Sequence, residues 1–342
     1  MINRAGLILT CMTQIAMSTF VCLMSQTASN ERIPCDKSQQ LFTVIQTGKT
    51  GFIDLRGRII ITPKYEHAED FHDGLARISG QPGADNDSTS YINPCGELIF
   101  RSDFEFSSGF SDGLALVNSE NGWGFIDQRG QVVVRPIFQQ ARSFHENLAA
   151  VKIGGKWGYI DKTGKVKIDT QFDDVGDFSE GLAWLRKDNK VGFLNTSGKL
   201  VIAPYFESAS EFSGGLAAIK LYGKWGFVAR DGKIVCDPKF NDAYSFSDGL
   251  GRVTFRGRDG YIDRTGKIAI GFKYRLAGDF SEGLAAVKIG GRYGFIDKRG
   301  KMVITNRFLF AAPFKSGLAR VEIETGLAYI NKDGRYVWRQ SL

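Results

Sequence analysis

The stretch KIGGKWGYIDKTGKVKI, Lys152–Ile168, contains four glycines and five lysines around the motif WGYID. A phosphate-binding loop would read GxxxxGK followed by Ser or Thr, between a strand and a helix. Here Gly158 and Gly164 are one residue too far apart, and Val166 stands where the hydroxyl residue belongs. The stretch is therefore interpreted as structural rather than as a nucleotide site.

The glycine of this motif recurs along the chain with a step of 34 residues. The equivalent residues are Ser90, Gly124, Gly158, Gly192, Gly226, Gly260, Gly294 and Ala328, and one longer step of 39 residues reaches back to Gly51. A second marker of the form FSEGLA keeps the same register from Phe71 to Phe314. Nine units therefore cover residues 41–342, and such a period is typical of solenoids, propellers and repeat arrays.

Within a unit the apolar residues alternate with period two, which predicts strands rather than helices. Leu148–Ile153 forms a first strand with one buried and one wet face, and Gly154 and Gly155 turn the chain into KWGYID. Asp161 caps the next turn, and a third alternating strand follows. Each unit is thus predicted to be a three-stranded antiparallel meander. The glycine after Trp is expected to let a neighbouring unit approach closely.

Units such as GKWGYIDKTGK, YGKWGFVARDGK and GGRYGFIDKRGK resemble the WG repeat, also called the KWG repeat, of bacterial proteins. The resemblance covers all nine units, although Trp is replaced in four of them by Val191, Asp259, Tyr293 and Leu327. It implies an all-β repeat array without shared catalytic residues, and it says little about activity.

The arrangement of the nine units is open to two interpretations. Propeller blades usually have four strands and number four to eight. The chain begins and ends at the same point of the repeat. Nine complete units of three strands therefore leave no additional strand to close a ring. An open, curved, solenoid-like array is therefore expected in preference to a closed propeller-like ring.

The N-terminus has the profile of a signal peptide. One positive charge in residues 1–4 is followed by an uncharged, largely apolar stretch that reaches Asn30. We expect a signal peptide over residues 1–29, a lead-in over 30–40 and the repeat domain over 41–342. The protein is then exported to the periplasm or beyond. An uncleaved membrane anchor is the alternative for this segment.

The remaining cysteines and the charge limit the chemistry. Cys35 and Cys95 are positioned to pair in an oxidising compartment, whereas Cys236 stands where other units place Ile and is expected in the core. The 44 basic and 37 acidic residues give a net charge of +7, but they are interspersed. This distribution indicates weak attraction to anionic surfaces and no nucleic-acid partner.

A residue type that repeats in every unit, such as the turn carboxylates, is interpreted as architectural. The candidate binding residues are therefore those that vary between units at positions expected to be exposed. Trp184 is a candidate stacking platform on a wet face. Arg252 and Arg320 occupy the equivalent position in other units. A basic ladder is expected along one edge from Lys156, Lys190, Lys224, Arg258 and Arg292.

These features predict a non-catalytic exported repeat protein that binds a protein partner or an anionic envelope glycan. The alternatives are a carbohydrate-acting enzyme with its site at the hub of a closed ring, and a purely structural spacer. No cofactor or metal is expected.

Overall fold

The computed structural model describes residues 36–80 and 89–340, and within these the chain forms nine small antiparallel β-sheets. Each sheet is built from consecutive strands of one repeat, which confirms the nine units. The predicted signal peptide, residues 1–29, and Cys35 lie outside the described residues. Among the residues described, no helix has the length and apolar character needed to cross a membrane.

The first four sheets use fifteen strands. Sheet 1 is β1 (Phe42–Gln46), β2 (Lys49–Ile53) and β3 (Ile59–Tyr65); sheet 2 is β4 (His67–Ala68), β5 (Ala76–Ser79), β6 (Ser90–Ile92) and β7 (Leu98–Arg101). Sheet 3 is β8 (Phe106–Ser111), β9 (Leu114–Ser119), β10 (Gly122–Ile126) and β11 (Val132–Phe138); sheet 4 is β12 (Gln140–Ala141), β13 (Leu148–Ile153), β14 (Lys156–Asp161) and β15 (Val166–Phe172).

The other five sheets continue the pattern. Sheet 5 is β16 (Asp174–Val175), β17 (Leu182–Lys187), β18 (Lys190–Asn195) and β19 (Leu200–Phe206); sheet 6 is β20 (Ser208–Ala209), β21 (Leu216–Leu221), β22 (Lys224–Ala229) and β23 (Ile234–Phe240). Sheet 7 is β24 (Asp242–Ser247), β25 (Leu250–Phe255), β26 (Arg258–Asp263) and β27 (Ile268–Tyr274); sheet 8 is β28 (Leu284–Ile289), β29 (Arg292–Asp297) and β30 (Met302–Phe308). Sheet 9 is β31 (Phe310–Ala311), β32 (Leu318–Ile323), β33 (Gly326–Asn331) and β34 (Tyr336–Arg339).

Seven of these described sheets have four strands, so the expected three-stranded unit is incomplete. The additional strand is called A and precedes the three expected strands, B, C and D. It lies in the segment that the sequence indicated as a connection, where Gln140 pairs with Lys152 and Ala141 with Val151. Two paired residues carry too little periodicity to be recognised as a strand.

The turns between the strands follow the sequence prediction. Gly154 and Gly155 form the two-residue B–C turn, with φ of 58° and 80°, conformations that favour glycine. At the C–D turn, Asp161 Oδ1 accepts hydrogen bonds from the N–H groups of Thr163 and Lys165, at 3.0 and 3.1 Å. Turn chemistry therefore sets the register of each sheet.

The glycine after Trp is required by its own sheet rather than by the neighbouring unit, which corrects the sequence interpretation. The register shifts so that Trp225 faces Phe240 whereas Phe227 faces Cys236. A Cβ at Gly226 would collide with the Cys236 carbonyl oxygen in strand D. Ser90 and Ala328 replace glycine where the pairing at that residue is regular.

Neighbouring sheets are joined by a repeated aromatic contact. The aromatic residue of strand C lies against the phenylalanine of the FSEG box in the following sheet, with ring centroids 4.7–5.2 Å apart. The pairs are Phe52–Phe71, Tyr91–Phe110, Phe125–Phe144, Tyr159–Phe178, Phe193–Phe212, Phe227–Phe246, Tyr261–Phe280 and Phe295–Phe314.

The last sheet makes a corresponding contact with the first. The ring centroid of Tyr329 is 5.6 Å from that of Phe42, and the Tyr329 hydroxyl donates to the Thr43 carbonyl oxygen at 2.8 Å. Burial raises the pKa of Tyr329 to about 12, so this hydroxyl remains a donor at neutral pH. Lys315 Nζ, just before β32 of sheet 9, lies 2.9 Å from Asp70 Oδ2, in the connection between β4 and β5 of sheet 2.

The expected open array is therefore wrong, because the nine sheets form a closed ring, a nine-bladed β-propeller. The expectation assumed that closure needs a shared strand. Sheets 1 and 9 instead keep their own strands, and Phe42, Val44 and Ile53 pack directly against Tyr329 and Trp338. The ring therefore closes although its first and last sheets share no strand.

Two cysteines are placed by the structure. Cys236 is free and buried beside Phe227 in the core, as predicted. Cys95 is disulfide-bonded. Because Cys35 lies outside the described residues, the Cys35–Cys95 pairing stays a prediction.

The glycine requirement predicts an asymmetric response to two substitutions. Gly226→Ala should lower the free energy of unfolding by about 1–3 kcal/mol, because the added methyl group forces strand D away. Ala328→Gly, at the equivalent position without the register shift, should cost less than about 1 kcal/mol. Urea denaturation followed by circular dichroism measures both, and equal losses would contradict this role for the glycine.

Candidate functional site

The repeated carboxylates are architectural, as the sequence analysis expected. Glu180 in the turn between strands A and B accepts hydrogen bonds from Gly214 and Gly215 of the next sheet at 2.6 and 2.9 Å. Asp248 accepts one from Gly283 in the same way. Burial alone would raise the pKa of Asp248, but this hydrogen bond and the ammonium group of Lys298 outweigh it and lower the pKa.

Trp184 lies on β17 and is half-buried rather than on a wet face. Its indole packs over the backbone of Gly176, and the guanidinium of Arg142 lies 5.8 Å from its ring centroid. The equivalent residues Ala150 and Ala218 are buried, because each sheet is covered on both faces by its neighbours. This position is thus less open than expected, and a binding role for Trp184 stays a prediction.

Arg252 is held inside a polar cluster of sheets 7 and 8. Its Nε lies 2.8 Å from Asp279 Oδ1, and its Nη1 lies 3.9 Å from Oδ2 of the buried Asp259. The guanidinium also stacks on Tyr244, 3.4 Å from the ring centroid. Asp259 stands where other repeats have Trp, and its Oδ1 accepts a hydrogen bond from Thr254 at 2.7 Å. These contacts give Arg252 a structural role.

The ladder residues occupy equivalent places at the start of strand C, next to the B–C turn. We call the surface formed by these turns and residues the B–C turn face; its cations are Lys49, Lys156, Lys190, Lys224, Arg258 and Arg292. Lys156 lies 2.5 Å from Asp173, and this hydrogen bond lowers the pKa of the carboxyl group. Arg292 lies 2.5 Å from Glu324, and Lys49 forms a salt bridge with Glu66. The ladder is thus partly neutralised.

The other ladder cations remain available. Within the described residues, no carboxylate forms a salt bridge with Lys190, Lys224 or Arg258. Arg320 is exposed but lies elsewhere, lining a cavity of about 320 Å³ with Asp70 at the junction of sheets 9 and 1. The candidates therefore do not converge on one site.

A pair of exposed tyrosines on the B–C turn face was not predicted from the sequence. Tyr205 and Tyr222 are 54% and 83% exposed, and their hydroxyl oxygens are 3.4 Å apart. The hydrogen bond between them raises the pKa of Tyr205. Tyr222 occupies a B–C turn position with φ of 51°, where sheets 4 and 8 have glycine. An aromatic residue in a glycine turn was the signal available in the sequence.

A groove of about 530 Å³ lies between sheets 4 and 5, and neither tyrosine lines it. Leu185, Leu200 and Pro204 supply its apolar wall, and Lys187, Asp188 and Lys190 are its charged lining residues. Tyr205 follows Pro204 directly on β19, so the two side chains point to opposite faces of the strand. Trp184 is not among the lining residues, because its side chain points to the other face of β17. In the described part of the chain, no group of three or more His, Cys, Asp or Glu residues is arranged to hold a metal ion.

Comparison with protein families identifies the repeat. The sequence model of the family described as "WG containing repeat" matches residues 51–79, 123–157, 157–190, 192–225, 225–258, 260–293 and 293–324. The chain belongs to the WG repeat family. The search of curated proteins finds no match.

Solved structures similar to the chain are propellers. A crystal structure of a eukaryotic initiation factor has a TM-score of 0.64 at 10% identity, covering 87% of this chain and 95% of its own. Hsv2p of Kluyveromyces lactis has a TM-score of 0.41 at 12% identity, with 68% and 92% covered. The C-terminal WD40 domain of Sif2 has a TM-score of 0.42 at 9% identity, with 84% and 97% covered. The similarity to the initiation factor is one of fold alone.

Because Arg252 is held among polar groups between sheets 7 and 8, its substitution is expected to destabilise the fold. Arg252→Ala leaves the buried Asp259 carboxylate without its cation and should lower the free energy of unfolding by about 3 kcal/mol. Arg320→Ala, at the equivalent exposed position, should change it by less than about 0.5 kcal/mol. Chemical denaturation of both variants checks this, and equal stabilities would contradict a structural role for Arg252.

Proposed function

We propose that this repeat β-propeller is a scaffold without catalytic activity that binds an acidic segment of a partner protein. The proposed contact surface is the B–C turn face of sheets 5 and 6. The observation that carries the proposal is the exposed pair Tyr205 and Tyr222, with Lys190 and Lys224 at the start of strand C in the same two sheets.

The composition of this patch supports a protein partner. Tyrosine is enriched at the centres of protein interfaces, because it buries a large apolar ring while its hydroxyl group remains able to hydrogen-bond. Tyr205 and Tyr222 expose both of their rings, and their hydroxyl oxygens are 3.4 Å apart. A partner side chain packed on the two rings would remove their apolar surface from water.

The charge at the patch supports an acidic partner. Lys190 and Lys224 have no salt-bridge partner among the described residues, and the groove between sheets 4 and 5 is lined by Lys187 and Lys190 against the single carboxylate of Asp188. Rim cations of this kind accelerate and orient association with acidic surfaces more than they strengthen it. Carboxylates flanking an apolar anchor in the partner would match this arrangement.

We also propose that the protein acts in the periplasm or outside the cell. The signal-peptide profile of residues 1–29 supports this, and so does the disulfide bond at Cys95, because disulfides persist mainly in oxidising compartments.

The proposal is tested by replacing both tyrosines with the residues that sheet 4 carries. Tyr205→Gln with Tyr222→Gly reproduces Gln171 and Gly154, so the fold should be preserved. The wild-type protein is first used to isolate a partner from envelope extract, and the partner is then purified. In biolayer interferometry this partner should bind the double variant at least about tenfold more weakly than the wild type.

The matched control is Ile137→Gln, because Ile137 is 68% exposed at the position of sheet 3 equivalent to Tyr205. Its affinity should equal that of the wild type. Equal affinity of the double variant would refute the proposed surface. A retained component that resists protease and is destroyed by glycosidase would refute a protein partner and favour an envelope glycan.

A further inference from the structure

A hydrogen bond that stabilises the B–C turn recurs in four successive sheets. The residue immediately before strand A accepts a hydrogen bond, through a side-chain oxygen, from a backbone N–H of the turn at 2.8–3.2 Å. The acceptor–donor pairs are Gln139–Gly155, Asp173–Asp188, Glu207–Gly223 and Asn241–Arg256. In each of sheets 4 to 7, a side chain of the same sheet therefore supplies a hydrogen-bond acceptor to the B–C turn.

Sheet 8 lacks this acceptor. Arg275 stands 34 residues after Asn241, at the position of the acceptor, and a guanidinium has no lone pair to offer. The N–H groups of Gly290 and Gly291 have no acceptor among the described residues. With φ of 57° and 83°, these two glycines form the same type of turn as Gly154 and Gly155.

The space beside this turn is a cationic cavity of about 460 Å³ between sheets 7 and 8. Arg258, Lys273, Arg275 and Lys288 line it together with the two turn glycines, and no carboxylate lines it. Within the described residues none of the four cations forms a salt bridge. Four positive groups thus face one volume without a counter-charge.

Three contacts position these cations without neutralising them. Arg258 Nη1 donates a hydrogen bond to the Lys273 carbonyl oxygen at 3.2 Å. Lys288 Nζ lies 5.2 Å from the ring centroid of Tyr293, and Lys273 Nζ lies 5.3 Å from that of Tyr274. All three contacts leave the positive charge in place, and the remaining N–H groups can bind a ligand.

We propose that this cavity binds an oxyanionic group of the phosphate class. The anion would supply to Gly290 and Gly291 the oxygen that Glu207 supplies in sheet 6, while the four side chains balance its charge. Backbone N–H groups of a turn combined with an arginine fork are suited to a tetrahedral oxyanion. The volume exceeds that of a free phosphate ion, so the group is expected on a larger molecule or polymer.

This site is distinct from the surface proposed in sheets 5 and 6, and each can fail without the other. Titration calorimetry at low ionic strength, with inorganic phosphate and with long-chain polyphosphate, tests the site. Arg275→Glu restores the acceptor used in sheet 6, so the variant should fold and should bind both probes at least about tenfold more weakly.

Arg299→Glu is the matched control, because it makes the same charge change at the exposed C–D turn on the other end of β29. It should retain affinity within about twofold. If each site binds polyphosphate more tightly than inorganic phosphate, the oxyanionic group belongs to a polymer. If the two affinities per site are equal, it belongs to a small molecule. Absence of binding by the wild type, or equal losses in both variants, would overturn the proposal.

Discussion

The contact between the aromatic residue of strand C and the FSEG phenylalanine of the following sheet is the interaction on which the ring depends. One repeat cannot bury its apolar face alone, and it becomes stable by covering that face with its neighbours. Tyr159 shows both parts of this contact. Its ring lies 4.8 Å from that of Phe178, and its hydroxyl donates to the Gly176 carbonyl oxygen at 2.7 Å. At the closure, Phe42 on β1 takes the place of that phenylalanine against Tyr329.

Much of the local structure was predictable because each determinant lies within one repeat. The period, the glycine turn at Gly154 and the cap at Asp161 depend on neighbours in sequence, and all three were found. Ring closure was not predictable in this way. It depends on a contact between residues 286 apart, Tyr329 and Thr43, and nothing in the repeat pattern distinguishes a last unit that meets the first from one that faces solvent.

The candidate residues were harder to predict, for a related reason. The third position of strand B alternates with buried residues and was therefore expected to be wet, but the adjacent sheets cover both faces and bury Ala150 and Ala218. Departures from the repeat proved more informative where they remove a contact that the other units make. Tyr222 replaces a turn glycine, and Arg275 replaces a turn acceptor. Recognising the second required the hydrogen bonds of the other sheets.

Zero-length carbodiimide cross-linking tests the closure of the ring. Lys315 Nζ and Asp70 Oδ2 are 2.9 Å apart and accessible, although they are 245 residues apart in sequence. A closed ring predicts an amide bond between the peptides containing Asp70 and Lys315 in the monomer, detected by mass spectrometry and absent in Lys315→Arg. No such cross-link in the monomer, or one found only in dimers, would contradict a closed ring.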